Sequence, residues 1–437
     1  MSEQEKIIDH FTQMFKDFES QLNGQTLSPL HAFRKKSIEA LQKVQFPDRR
    51  HEDWKYTGVQ QLIAPAYKLA EAAVGPEVPS IPDLDSYVIT FENGRLVEDK
   101  TDRTIEKSGV RILPLHQALQ EPTWVSRLES SLDVAHPTSG QAFHLLNVAF
   151  HTQGFVLDIP KNTIVDKPIE LRFIHTDAEV SFSNPLYLIY AAEGSDCTLI
   201  ERYDHNPKTS ATSSPCLINT FGHIFLEKNA GVRHIKWQDL PAHQSLVYAL
   251  HVSQSADSRF NSFAIDFGGR VVRNNIDVEL NESNTYTSLQ AAFMARGNQS
   301  MDHQTKINHS VPHCESHELY RGILDEKAVA AFNGKVFVHQ DAQKTNAYQQ
   351  NDTMVLSTYA LMNSKPQLEI FADDVRCSHG ATIGQLDRKS LFYLMARGLD
   401  ETTATHMLKA AFLAQVLDAI PVAALGDYIR TRMSINL

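Results

Sequence analysis

Cys377 and His379 stand two residues apart in ADDVRCSHGATIGQLD, residues 372–387. Thiolate and imidazole are donors that bind iron, and a thiolate also accepts sulfur. The preceding QLEIFADDV alternates as a strand does. If that strand continues, Cys377 and His379 emerge on one face and Ser378 on the other, so the two side chains could reach one common atom. Gly380 and Gly384 would let backbone approach closely. Two ligands cannot hold a metal or a cluster, so the others would have to come from a second chain. The same pattern also fits a buried cysteine beside a turn histidine.

A second group of donors lies in DHQTKINHSVPHCESHE, which holds His303, His309, His313, Cys314 and His317. Nitrogen and sulfur ligands suit zinc or iron, but the spacing matches no zinc finger. On a strand, His303 and His309 share a face yet lie about 20 Å apart at ~3.3 Å per residue. Pro312 could fold the segment back and make a free-standing metal site. The alternative is a polar strand and turn with two or three buried, hydrogen-bonded histidines.

Other chemistries lack their residues. FNGKVF contains Gly334-Lys335 but not the earlier glycine of a phosphate-binding loop, and neither GxGxxG nor GxSxG occurs. DFGG at 266–269 has no accompanying HRD loop. Neither nucleotide hydrolysis nor acyl transfer is expected of this chain alone. The net charge of −11, from 41 basic and 52 acidic residues, argues against a nucleic-acid partner. Cys197, Cys216, Cys314 and Cys377 are sparse and form no CxxC, against a disulfide framework or a structural zinc site. No apolar run approaches the roughly 20 residues of a membrane span, and MSEQEKIIDHF lacks a signal-peptide plan, so a cytoplasmic protein with no membrane contact is expected.

The elements that must position these residues fall into four stretches. Residues 1–75 read as an N-terminal helical domain. Ile7, Ile8, Phe11, Met14, Phe15 and Phe18 form one stripe, Gly24 stops that helix, and Ser28 with Pro29 starts a second that runs to about Val44. In HEDWKYTGVQQL, Trp54 and Tyr56 read as anchors docking an arm onto a body, or as a packed aromatic pair. Residues 76–150 form a linker and mixed α/β region with a helix near 115–131. Residues 151–385 alternate with period two and are cut by turn clusters at 228–231, 255–258 and 281–284. A repeat of roughly 20–30 residues, one strand group per turn, fits a stacked solenoid, with a β-sandwich as the alternative. Residues 386–437 are helical again. Asp387 caps a helix ended by Gly398, and a following helix places Met407, Leu408, Ala411, Phe412 and Val416 on one side.

ADDVRCSHGATIGQLD, followed by LFYLMARGL, closely resembles the C-terminal signature of the SufB/SufD family, scaffold subunits of the Suf machinery that assembles iron–sulfur clusters. HEDWKYT is similar to the family's N-terminal WKYT arm. YRGIL, FNGKVFV and AQKTNAYQ are similar to its shared body, and KPQLEI leads into the signature, so the resemblance runs from about residue 45 to 415. SufB-like chains carry an EHEATTS-type stretch where this chain has CSHGATIG, and they are longer. The chain therefore resembles the SufD branch better, with a SufB-like paralogue as the alternative.

The resemblance implies a mainly β protein: a right-handed parallel β-helix core between N-terminal and C-terminal helical domains. It implies a non-catalytic subunit that pairs with SufB through strands at the end of the β-helix and docks the ATPase SufC through its C-terminal helices. The nascent iron–sulfur cluster would be shared with SufB, with His379 facing a SufB cysteine, Cys377 close by, and SufB as the acceptor of persulfide sulfur. The resemblance also associates a reduced flavin with the complex as a whole, although no flavin-binding motif is legible. The isolated chain could form homodimers through the surface meant for SufB. Outside this family, a carbohydrate-active β-helix enzyme would need clustered carboxylates on one solenoid face.

Overall fold

The computed structural model describes residues 2–22, 29–71, 78–134, 136–175, 180–205 and 214–436. Helix α1 (Glu3–Ser20) opens on a reciprocal cap between Ser2 and Glu5 and buries Ile8, Phe11, Met14, Phe15 and Phe18 of the expected stripe, with Ile7 half-buried beside them. Helix α2 (Pro29–Val44) begins at Pro29 as expected; Gly24 and Ser28 lie outside the described residues. A short α3 (Val59–Ile63) and strand β1 (Lys68–Leu69) follow. Next come β2 (Tyr87–Glu92), β3 (Arg95–Leu96) and β4 (Arg111–Pro114). The helix expected near 115–131 is two, α4 (Leu115–Ala118) and α5 (Pro122–Leu132), because Pro122 cannot continue a helix and instead starts one. Helix α6 (Ala142–Phe150) then leads into β5 (Phe155–Ile159), β6 (Ile169–His175), β7 (Ser181–Ser183) and β8 (Leu186–Ala191).

The body continues through β9 (Asp196–His205), β10 (Cys216–Leu226), β11 (Gly231–Leu240), β12 (Gln244–Gln254), β13 (Arg259–Gly268), β14 (Val271–Leu280) and β15 (Tyr286–Ala295). It ends with β16 (Ser300–His309), β17 (Glu315–Leu324), β18 (Val329–Val338), β19 (Asn346–Val355), β20 (Leu361–Ile370) and β21 (Arg376–Gly384). Successive strands alternate between two sheets. One runs β20-β18-β16-β14-β12-β10-β8-β5-β4 and the other β21-β19-β17-β15-β13-β11-β9-β6-β2-β3. Every pairing from β5 to β21 is parallel, so the chain winds as a β-helix of about seven turns, and the sandwich alternative falls. Cys216 lies opposite Gln244, Val271 opposite Ser300 and Val329 opposite Leu361, so these turns consume 28, 29 and 32 residues. Each turn holds two strands, one per sheet.

The corners explain how short loops sustain this winding. Asn229, Asp257, Asn284, His313 and Lys344 all have φ between 58° and 64°. Asparagine and aspartate tolerate that left-handed conformation better than other side-chain-bearing residues. Amides in this column donate to the next corner: Asn229 to Ala256 O, Asp257 to Ser283 O, His313 to Gln343 O and Lys344 to Asp374 O. The turn clusters read from the sequence are these corners.

Both sheets are covered on their flanks. Outside the first sheet, α1, α2 and α6 bury Phe11, Phe150 and Leu146 against Phe182, Leu217, Val247 and Val271. Outside the second, α8 (Glu401–Leu417) and α9 (Ala423–Asn436) bury Leu413, Val416, Leu425 and Ile429 against Ile235, Trp237 and Ile265. The buried residues of α8 are Ala404, Lys409, Leu413, Val416 and Leu417 rather than the expected stripe, of which only Val416 is among them. The helix turns a different face to the sheet and leaves Met407 48% exposed. Between β21 and α8, α7 (Arg388–Ala396) is capped by Asp387 as expected and buries no residue.

An arm of six residues ties the N-terminal part to the stack. The Trp54 ring, 3% exposed, lies between Phe143 (centroids 5.1 Å apart) and the Arg273 guanidinium, 3.7 Å from its centroid. Arg273 Nη1 donates to Asp53 O, Thr57 Oγ1 and Asp302 Oδ2, each at 2.7 Å. Lys335 Nζ donates to Asp53 Oδ1 at 2.6 Å, and Glu52 pairs with Lys365. The arm thus crosses β14, β16, β18 and β20. Trp54 is an anchor; Tyr56 is 39% exposed and is not.

Trp54→Ala and Arg273→Ala should each lower the unfolding free energy by about 3–5 kcal/mol, by loss of core volume in one and by stranding buried Asp302 in the other. The double variant should cost less than the sum, because the two side chains share a contact. Tyr56→Ala should stay within about 0.5 kcal/mol. Denaturant titration checks all four.

Candidate functional site

A parallel ladder satisfies each strand from both sides except at the ends of the stack. Among the described residues, β20 pairs only with β18 and β21 only with β19. Their outer edges carry unpaired backbone donors and acceptors. Burial changes accordingly. In β19, Ala347, Gln349, Asn351 and Thr353 are buried, whereas in β21 only Cys377 and Gly380 escape full exposure. The exposed large apolar side chains concentrate here, including Leu361, Phe371 and Ile383 at 53–58% and Phe392 of α7 at 74%. A free edge rimmed by apolar side chains marks an interaction surface.

Cys377 lies opposite Ala347 and His379 opposite Gln349, both on the inward phase of the strand. The expected sharing of one face is therefore present, with Ser378 on the other. His379 is exposed at the open end, and Cys377 is half-buried against Val336, Val338 and Ala347 with Leu368 beside it. Burial raises the Cys377 thiol above its ordinary value, partly opposed by the Ala347 backbone. The neighbouring acids have other tasks. Asp374 pairs with Lys344 across the stacked corner, and its amide donates to Gln343 Oε1 at 2.9 Å. Gly380 leaves room for the side chain of Gln350, whose Oε1 a Cβ would overlap, so its close approach is to the rung below.

The 303–317 group is not brought together. His303 is buried, approaches Asn274 Nδ2 at 3.2 Å through Nδ1, and burial pushes its pKa down to about 4. His309 is likewise buried, bonds Ser316 Oγ at 2.9 Å, and is pushed down to about 4 by burial. His313 occupies the left-handed corner, Cys314 is buried, and half-buried His317 lies 3.8 Å from Glu315. Among the described residues, no group of three histidine, cysteine, aspartate or glutamate side chains is placed to hold a metal. His303 and His309 lie six residues apart along one strand, about 20 Å at ~3.3 Å per residue, too far for one ion. The polar-strand alternative is the one the structure adopts.

Sequence reasoning missed the polar residues on the inward phase of the stack. Burial would raise the Glu201 carboxyl, yet His234, Tyr187 and Tyr248 all bond it and hold it below its ordinary value. Lys236 pairs with Asp266 in the same interior. The available signal was a charged residue falling on the apolar phase of a period-two strand.

Of the four cysteines, Cys377 alone is not buried. A maleimide or iodoacetamide should modify one thiol per folded chain, Cys377→Ser should abolish that reaction, and its rate should climb with pH because the thiol is raised. Peptide mass analysis locates the adduct.

Two family profiles match the chain: "SUF system FeS cluster assembly, SufBD core domain" over residues 173–412 and "SufBD protein N-terminal region" over residues 5–171. An iron–sulfur cluster assembly SufBD family protein of Synechocystis sp. is 32% identical, covering 98% of this chain and 95% of the relative. The iron–sulfur cluster assembly protein SufD of Escherichia coli is 28% identical, covering 92% and 91%. The chloroplastic protein ABCI7 of Arabidopsis thaliana is 27% identical, covering 96% and 89%. No described helix is long and apolar enough to cross a membrane. The chain, with its parallel stack and the profiles that span it, belongs to the SufB/SufD family of iron–sulfur cluster assembly proteins.

Proposed function

We propose that the chain is a SufD-type, non-catalytic scaffold subunit of a cytoplasmic SufB–SufC–SufD assembly. The observation that carries this reading is the open solenoid end. β20 and β21 offer free parallel edges, and Cys377 and His379 stand on the inward row beside them. A SufB-type subunit adding its own terminal strands there would extend both sheets, the mode of recognition that unpaired edges favour. The nascent cluster is cargo at that junction. This chain supplies at most the Cys377 thiolate and the His379 imidazole, and the partner supplies the remaining donors. In isolation the same edges suit pairing with a second copy.

The C-terminal helices are the assigned dock for a SufC-type ATPase. Between α8 and α9 lies a groove of about 440 Å³ lined by Met407, Ala410, Ala414, Leu417 and Met433, with Arg430 and Asp418 at its rim. α8 and α9 also pack on the second sheet, so a shift imposed on them reaches the stack directly. On this reading residues 1–75, 76–150, 151–385 and 386–437 act as helical, connecting, β-helix and partner-docking units.

His379→Ala should leave the isolated chain folded, since the side chain is exposed, and should reduce cluster content of the co-expressed assembly several-fold. Iron and labile sulfide per purified complex, with circular dichroism of the free chain, measure this. Undiminished cluster content would overturn the assigned role. Cys377→Ser in the same assay separates a ligand from a bystander.

A further inference from the structure

Beneath the open end, two rungs of the interior carry an acid and an amide. Glu318 of β17 is 1% exposed, and Gln349, its register partner on β19, is fully buried. His379 is the register partner of Gln349 on the terminal strand. Gln349 Nε2 donates to Glu318 Oε2 at 2.5 Å. Two atoms are left over, Glu318 Oε1 and Gln349 Oε1, both buried and without a hydrogen-bond partner among the described residues. Both are oxygens. The Thr305 hydroxyl also faces the Glu318 carboxyl. Buried acceptors short of donors are costly, and one hydrogen shared between the Glu318 and Gln349 oxygens would serve both. Gly334 across the interior makes the arrangement possible, because a Cβ there would overlap Gln349 Nε2.

We propose that Glu318 is a protonated acid in the folded protein, that its hydroxyl donates to Gln349 Oε1 to close an acid–amide pair, and that positive charge arriving at His379 draws the proton off. The proton leaves as the carboxylate forms and passes to solvent at the open end; no other bond changes and no electron moves. The charge coupling rests on reading that end as the place where a metal cargo is received. The protonation of Glu318 does not.

The surroundings favour the neutral acid. Burial pushes the Glu318 carboxyl up to about 7, against smaller opposing contributions from Thr305 and Gln349. The titratable and charged groups of the elements packed around it are His303 and His309 of β16, Tyr320 of its own strand, Asp266 of β13 with Lys236, and His379 above. His303 and His309 are held neutral by burial, Tyr320 is raised chiefly by burial, and Lys236 is committed to Asp266. Among the described residues, no cation acts on Glu318 to hold it as a carboxylate. His379 lies two rungs away, about 10 Å at ~4.8 Å per rung, close enough for a charge to act through poorly screened interior.

Infrared spectroscopy of protein carrying glutamate labelled with carbon-13 at the side-chain carboxyl reads this directly. The expected result is a protonated-glutamate band at pH 6 that is absent in Glu318→Gln and fades with a midpoint near 7. Absence of that band in the folded wild type overturns the proposal, and this holds whether or not the variant folds. Glutamine can also complete the pair with Gln349, so Glu318→Gln should fold. A carboxyl raised in the folded state makes stability fall as pH climbs from about 4.5 to about 7, with no further change above. The melting temperature of Glu318→Gln should therefore gain on wild type across that window, and a constant difference would count against the proposal. His379→Lys, a fixed cation on the exposed strand, should weaken the hold on the proton roughly three- to tenfold. An unchanged midpoint in that variant overturns the charge coupling specifically.

Discussion

The parallel ladder dominates this molecule. Each strand from β10 to β19 gives its backbone groups to a neighbour above and a neighbour below, in register over nearly its whole length. That arrangement needs no particular side chain, only inward residues that stack and corners that can turn left-handed. It also has an unavoidable remainder, since the last rung of any open stack keeps one unsatisfied edge. The N-terminal end finishes differently, on strands that reverse direction. β3 pairs antiparallel with β2 and β4 with β5, and short helices follow them. The C-terminal end does not reverse, and there the chain places its half-buried thiol and exposed imidazole.

The two helical parts pack on the flanks of the stack rather than across its mouth. α1, α2 and α6 cover the outer face of one sheet, and α8 and α9 the other. Packing there buries the outward rows of the middle rungs and explains why strands such as β6 and β10 are buried on both faces. It also leaves β20 and β21 largely uncovered, with the arm touching β20 at Lys365. Fold and site are therefore two results of one packing choice.

Much of this was legible in the amino-acid order. Period-two alternation, recurring turn clusters and the helical ends fix a helix–β–helix plan, and the phase of QLEIFADDVRCSHG fixes Cys377 and His379 to one row. Distance along the axis was harder to read. The 303–317 donors look clustered in sequence because a corner intervenes at His313, yet that corner holds a left-handed residue and sends the flanking strands to different sheets. The two-strand turn was also hidden, because successive corners look alike in composition. The stripe on α8 was misjudged because alanines and a lysine stem share its buried face, so hydrophobicity alone did not orient it. Interior acids such as Glu201 and Glu318 left only a weak mark, one charged residue at a time on an otherwise apolar phase.

The arm at residues 52–57 has a consequence for how the chain is made. A solenoid can add rungs in the order in which the ribosome delivers them, since each rung needs only its predecessor. The arm cannot follow that order. Its polar contacts lie on Arg273, Asp302, Lys335 and Lys365, more than two hundred residues downstream. Trp54 meets Phe143 early, but the arm's polar partners arrive only after most of the polypeptide is made. The seating of the arm over the penultimate strand is then a late closing event that records the arrival of the final turn.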